Sequence, residues 1–261
     1  MQEYYPVIGG RQLYSQILNG QSAAPGIPWL VFLHEGLGCT LQWRDFPLRL
    51  SEACGMPALV YDRWGYGKSE RKTGINPPDY MHSEARDFLP ELLENMGVQE
   101  KIIPVGHSDG GTIALLFASF FPDKTLAVIS ESDHVIGEAI TLQGVRSLTA
   151  LYGKGKLRQL LAQYYGSKVD DLFHGWTGLW LSQQAGEWSI VERLPAVKAP
   201  LLAIQGSTDQ YGSVEQLVLK LRHCSGPVQI NHLQDCGHIP HHEAPEKVFL
   251  LMKDFIMHTL K

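Results

Sequence analysis

The chain reads as an α/β protein: a mostly parallel central sheet flanked by helices, with a helical insertion late in the sequence. Three observations predict this. Short continuous apolar runs such as Trp29–Leu33, Ala58–Tyr61 and Leu201–Ile204 have the length and composition of strands buried on both faces. Segments of helical length alternate with them, which is the order of βα units. Between residues 134 and 195 that alternation stops, and no convincing buried strand is found there.

Each element has a local reason. Glu3–Leu18 is expected to form an antiparallel hairpin at one edge, turned by Gly9-Gly10. The strand Trp29–Leu33 leads through a glycine-containing loop to a helix near Leu41–Cys54, and Ala58–Tyr61 is the next strand. Tyr80–Met96 sets Phe88, Leu89, Leu92, Leu93 and Met96 at helical spacing and stops at Gly97. Pro90 kinks this helix or opens a second segment. Lys101–Val105 is a short buried strand, Thr112–Ala118 a buried helix and Leu126–Ile129 a strand. After the helix-like stretches that carry Trp176, Trp180 and Trp188, the rhythm resumes. Pro200–Gln205 is a strand, Val214–Leu221 a helix, Val228–His232 a strand and Pro245–Met257 the last helix. The expected division is a core of residues 1–133 and 196–261, with a helical cap of residues 134–195 placed over one end of the sheet.

Composition narrows the function classes. The 261 residues, 44% hydrophobic, support one large core with a modest insertion. Charged residues make up 19%, the net charge is −5 and no basic stripe occurs, so no nucleic-acid partner is expected. The opening Met1-Gln2-Glu3-Tyr4-Tyr5-Pro6 does not read as a secretory signal, and no apolar run approaches the roughly 20 residues of a membrane span. Cys39, Cys54, Cys224 and Cys236 are scattered without a CxxC pair, which suggests neither a zinc site nor a disulfide framework. A cytoplasmic protein, monomer or homodimer, acting on a small molecule is the expectation.

The chemistry starts at Gly106-His107-Ser108-Asp109-Gly110, between an apolar strand and a long apolar helix. A serine at the apex of such a turn is held away from its own backbone. Glycines two positions to either side let the chain double back. The following helix N-terminus favours an oxyanion there. A serine hydroxyl needs a base, and the base an orienting carboxylate. Asp209 lies in Gln205-Gly206-Ser207-Thr208-Asp209, past one strand, and His238 in Asp235-Cys236-Gly237-His238, past another. Both fall at the carboxyl end of the sheet, in the order Ser, Asp, His. Asp133, and after it Glu131, are the alternative acids. His232, His241 and His242 are the alternative bases, the last two expected to be solvent-facing or capping. Gly67-Lys68-Ser69 looks like the end of a phosphate-binding loop, but Asp62 stands where that motif needs glycine, and Pro77-Pro78 follow where it needs a helix.

Four segments together carry a resemblance: His34-Glu35-Gly36-Leu37-Gly38, Asp62-Arg63-Trp64-Gly65-Tyr66-Gly67-Lys68-Ser69, Gly106–Gly111 and Gly237–Glu246. The chain resembles the α/β-hydrolase fold superfamily, in its capped branch of esterases and C–C hydrolases, over nearly everything except the insertion. The resemblance implies Ser108 as nucleophile, Asp209 as acid and His238 as base. It also implies an oxyanion hole from the N–H groups of Gly36 and Asp109. Glu35 departs from the family, which usually has glycine there. Either it braces the loop or it orients a polar substrate or water. The Asp109 side chain is expected to turn back onto its own helix N-terminus. Trp176, Trp180, Tyr211 and His134 are the remaining candidates for substrate contact, though the tryptophans would also serve as the cap's own core. No metal or organic cofactor is called for. The leading expectation is a carboxylic ester hydrolase on a small or medium-sized substrate. Rivals are a C–C hydrolase of a diketone-type aromatic degradation intermediate, a perhydrolase, and a hydrolase-fold protein that only binds a small ligand.

Overall fold

The apolar runs form the middle of one eight-stranded sheet. The computed structural model describes residues 2–182 and 186–261. Met1 and residues 183–185, the latter inside the expected insertion, lie outside the described residues. The strands are β1 (Gln2–Tyr4), β2 (Val7–Ile8), β3 (Arg11–Gln12), β4 (Ser15–Leu18), β5 (Trp29–Leu33), β6 (Ala58–Tyr61), β7 (Ile102–His107), β8 (Val128–Glu131), β9 (Leu201–Gly206) and β10 (Val228–Leu233). The sheet order is β1-β4-β6-β5-β7-β8-β9-β10. The β1–β4 and β4–β6 joins are antiparallel, and every join from β6 to β10 is parallel. Gly9 and Gly10, at φ 56° and 75°, do make a hairpin turn. It joins β2 to β3 in a separate two-stranded sheet, however, while the expected edge pair is β1 with β4.

The helices are α1 (Phe46–Cys54), α2 (Tyr80–Ser83), α3 (Leu89–Asn95), α4 (Asp109–Phe120), α5 (Ala139–Gly153), α6 (Lys156–Tyr165), α7 (Val169–Trp180), α8 (Glu215–His223), α9 (Pro240–Glu243) and α10 (Pro245–Thr259). Among the described residues no helix is long and apolar enough to cross a membrane. The two-residue period of β5 divides the core. Val31 and Leu33 pack with Leu89, Ile113 and Leu116 on one face of the sheet. Leu30 and Phe32 pack with Phe46, Leu50, Val248 and Met252 on the other. Each such side chain contributes about 1.5–3 kcal/mol by leaving water. A wide π-turn over Glu84–Phe88 joins α2 to α3. It ends two residues before Pro90, which cannot donate to the carbonyl four residues back, inside the turn, and whose ring crowds it.

Two features of this topology position the site. From β5 the chain goes to β6 on one side and later to β7 on the other, so the loops leaving β5 and β7 diverge over a crevice. Helices α5, α6 and α7 stand over that end. Tyr152, Leu161, Tyr165, Leu172 and Phe173 make a small core there with Cys39 and Tyr66. The Tyr165 hydroxyl donates to the Leu37 carbonyl (2.6 Å), and Lys168 Nζ donates to the carbonyls of Gly67 and Ser69 (both 2.6 Å).

Candidate active site

Ser108 stands between β7 and α4 at φ 51°, ψ −119°, a conformation that side chains other than glycine rarely adopt. The turn closes so tightly that a Cβ on Gly106 would overlap the Gly110 carbonyl, and a Cβ on Gly110 would overlap the Leu33 carbonyl. Behind it, the Ser108 N–H donates to the Glu131 carbonyl (2.8 Å).

The loops after β9 and β10 bring two more side chains to this apex. They pack so closely that Gly206 has no room for a Cβ against the Cys236 carbonyl. Glu243 accepts from the N–H groups of Gly237 (2.6 Å) and Ile239 (3.0 Å) and so fixes the loop that carries His238. His238 Nε2 lies 3.1 Å from Ser108 Oγ, and its Nδ1 lies 2.9 and 3.0 Å from the two oxygens of Asp209. The carboxylate fixes the tautomer: Nδ1–H donates to Asp209, which leaves Nε2 to accept from the serine hydroxyl. Burial lowers the His238 pKa below the ordinary histidine value, against the opposing pull of Asp209. Burial works to raise the Asp209 pKa, but the hydrogen bond and charge of His238 outweigh it and hold the carboxyl below its usual range. The Tyr211 N–H also donates to Asp209 (2.8 Å).

The alternatives are occupied elsewhere. Asp133 forms a buried ion pair with Lys220 behind Gly111. Glu131 accepts from the His241 backbone (2.6 Å) and lies 2.7 Å from its Nδ1. His241 therefore corrects the expectation of a solvent-facing or capping residue. It is 4% exposed, stacked on Trp43 with ring centroids 4.5 Å apart, because a buried carboxylate waits for it across the sheet end. His242 is half-buried and meets the Gln42 carbonyl (2.8 Å), and His232 is exposed on β10.

A cavity of about 220 Å³ opens over Ser108. Gly36 and Asp109 line it beside the serine. The Asp109 carboxylate departs from expectation: it does not cap its own helix. It accepts from the Tyr80 hydroxyl and from Trp176 Nε1 (3.1 Å), and it lies 3.8 Å from Arg63. External donors outcompete the helix terminus because they are fixed and buried. Trp176 also covers Gly36 so closely that a Cβ there would enter its indole ring.

Glu35 turns toward His107, with Oε2 3.5 Å from Nδ1, and its carboxylate fills the space beside Gly38. His107 Nε2 meets the His238 carbonyl (2.8 Å). Burial alone would lower the His107 pKa, but Glu35, with Glu131 beyond it, raises it to about 9. Glu35 is driven the opposite way, to about 2, by His107 against its own burial. His107 was missed in the sequence; its place inside the serine turn was the available signal.

Of the other expected contacts, Trp180, His134 and Tyr211 also line the cavity. The Tyr211 ring packs against His238 at a tilt, with centroids 4.6 Å apart, and His134 Nε2 meets the Tyr211 carbonyl (3.0 Å). Trp188 packs against Trp180 (5.6 Å). Val145, Leu148, Leu157 and Leu161 complete an apolar wall, and no lysine or arginine lines the cavity among the described residues.

Comparison with known proteins adds the following. A family model described as "Alpha/beta hydrolase family" matches residues 30–249. A 2-succinyl-6-hydroxy-2,4-cyclohexadiene-1-carboxylate synthase of Enterobacter sp. (strain 638) is 34% identical over 120 residues, 45% of this chain and 43% of that protein, so the match spans less than half of that relative's length. A 2-hydroxy-6-oxo-6-phenylhexa-2,4-dienoate hydrolase of Burkholderia cepacia is 24% identical over 253 residues, 87% of each chain. Among solved structures, the proline iminopeptidase of Mycobacterium smegmatis superposes with a TM-score of 0.76 at 18% identity, covering 99% of this chain and 98% of that one, a likeness of fold alone.

Proposed function

The chain belongs to the alpha/beta hydrolase family, and from that premise we propose that it is a serine hydrolase of uncharged carboxylic esters, with Ser108, His238 and Asp209 as its triad. The observation that carries this reading is the pair of contacts of His238, 3.1 Å to the serine hydroxyl and 2.9 Å to the carboxylate. His238, uncharged because burial lowers its pKa, takes the Ser108 proton as the hydroxyl attacks the ester carbonyl. Asp209 stabilises the imidazolium that forms. The tetrahedral oxyanion is received by the N–H groups of Gly36 and Asp109. The alcohol leaves with the proton from His238, and water then repeats the sequence on the acyl-enzyme. Glu35 does not oppose the oxyanion, because His107 holds its negative charge.

The lining supports the substrate class. The wall is apolar, carries no lysine or arginine among the described residues and has its His107 charge matched by Glu35, which favours an uncharged acyl group over a carboxylate-bearing one. The Burkholderia cepacia relative, named for a dienoate and aligned over 87% of the chain, favours a second reading, C–C hydrolysis by the same triad. Hydrolysis of p-nitrophenyl esters and of a vinylogous diketone carboxylate, measured side by side, separates the two. Ester turnover with the diketone inert is expected. Diketone cleavage at a higher kcat/KM would replace the ester reading by the second.

A further inference from the structure

On the far side of Asp109 and Tyr80 from the serine lies another cavity, of about 210 Å³. It is lined by residues from three separated parts of the chain. Arg11 comes from the small hairpin, Arg63, Trp64 and Lys72 from the loop after β6, and Tyr80 and Glu84 from the helix that follows. The Arg11 guanidinium lies over the Trp64 ring (3.8 Å to its centroid), and Lys72 Nζ lies 5.0 Å from the same ring. Glu84 is buried and accepts from the Tyr61 hydroxyl (2.8 Å).

Charge leaves this cavity incomplete. Arg11, Arg63 and Lys72 face one carboxylate, Glu84, while Asp109 stands behind Arg63 at 3.8 Å, so one positive charge is in excess. Two of its cations keep donors to spare among the described residues: Lys72 Nζ, which donates to Asn76 Oδ1 (2.6 Å) and has two hydrogens left, and the half-buried Arg11 guanidinium over Trp64. Both groups can only donate. Cations held together without a matching carboxylate favour an acceptor between them, so the element missing from this cavity is an anion. Trp64, Tyr66, Tyr80 and Phe88 supply flat apolar walls around it.

We propose that this cavity is a binding site for a small organic carboxylate with a flat apolar body, an aryl carboxylate in the simplest case. One carboxylate removes the charge excess and accepts from Lys72 and Arg11, and its ring lies among the aromatic walls. The depressed Lys72 pKa, brought to about 8 by burial and the nearby Arg63 charge, fits a cation that lacks its counter-ion. The site stands apart from the serine chemistry, yet it touches it. Arg63 Nη2 donates to the carbonyls of His34 (3.2 Å) and Glu35 (2.7 Å), which lead into the loop of Gly36.

The test uses benzoate as the probe and the side-chain N–H resonances of the six tryptophans as the readout. Trp64→Phe identifies the Trp64 signal. Saturable displacement of that signal by benzoate, with acetate much weaker, is the expected result. Lys72→Met should weaken the benzoate titration by about tenfold or more, the loss expected for one charged hydrogen-bonding partner. The other five indole signals serve as the check that this variant is folded, and Lys72→Gln is the substitute if they are not retained. Displacement confined to the Trp176 and Trp180 signals would place benzoate over Ser108 and overturn the proposal. So would benzoate binding that Lys72→Met leaves intact, acetate binding as tightly as benzoate, or no displacement of the Trp64 signal up to solubility.

Discussion

Ser108 holds a backbone conformation that costs stability, and replacing it by glycine should return part of that cost. At φ 51°, ψ −119° a residue with a Cβ is in a sparsely populated region, worth about 1–3 kcal/mol of strain. Glycine adopts it freely, but it loses more backbone entropy on folding, about 0.5–1 kcal/mol against alanine. The comparison is therefore Ser108→Gly against Ser108→Ala, since both remove the hydroxyl and its contact with His238 and differ only in the Cβ. The balance predicts Ser108→Gly to be more stable than Ser108→Ala by about 1 kcal/mol, which for a chain of this size is about 2–4 °C in Tm. Thermal unfolding followed by circular dichroism at one scan rate reads this directly. Both variants should lack esterase activity. If the glycine variant melts at or below the alanine variant, the turn is not strained as described, and the account of why a serine is presented there fails.

Other expectations follow from the same geometry. Log kcat/KM for ester hydrolysis should rise with pH as His238 loses its proton, and level off with a midpoint below the ordinary histidine value of 6.5, because burial lowers that pKa; a midpoint above 6.5 contradicts it. Asp209→Asn should cost about ten-thousand-fold in kcat by releasing the wrong tautomer of His238, read with p-nitrophenyl acetate, and a loss below tenfold would return the role to another acid. His107 gains a raised pKa on folding and Glu35 a lowered one, so their pair contributes stability that is whole between about pH 4.5 and 6.5 and is lost as pH rises through about 9. Glu35→Gln should accordingly melt lower than wild type near neutrality and converge with it above pH 9, and parallel Tm–pH curves would refute the pairing. A Cβ at Gly144 would meet the Tyr211 ring at 2.7 Å, and that ring packs at a tilt against His238. Gly144→Ala should therefore raise KM for bulky esters more than it lowers kcat, and unchanged ester kinetics would show that the ring has other room.

What the sequence disclosed and what it withheld have different physical origins. Trp29–Leu33 and Ala58–Tyr61 were legible to the residue because strands buried on both faces must be apolar throughout. A strand and a helix on either side of Ser108 were legible from the glycines that a sharp reversal demands, although the strand runs on to His107 and the helix starts at Asp109, past the expected Lys101–Val105 and before the expected Thr112. Asp209 and His238 could be singled out because each follows a strand of one sheet, and the carboxyl ends of parallel strands meet. Pairings between distant segments left no local mark. His241 and Glu131 are 110 residues apart, and the Asp109 carboxylate finds Tyr80 and Trp176 rather than its own helix. A histidine after a proline looks like any surface histidine until the buried carboxylate opposite is known. The pull of Glu35 toward His107 was equally hidden, since it joins the loop of one strand to the end of its neighbour.

The central claim is that Ser108 is activated by His238. Intact mass after exposure to a fluorophosphonate tests it most directly, on wild type, Ser108→Ala and His238→Ala. One adduct is expected on the wild type, none on Ser108→Ala and a severely slowed reaction on His238→Ala. An unmodified wild type, or an adduct that survives in Ser108→Ala, would contradict it.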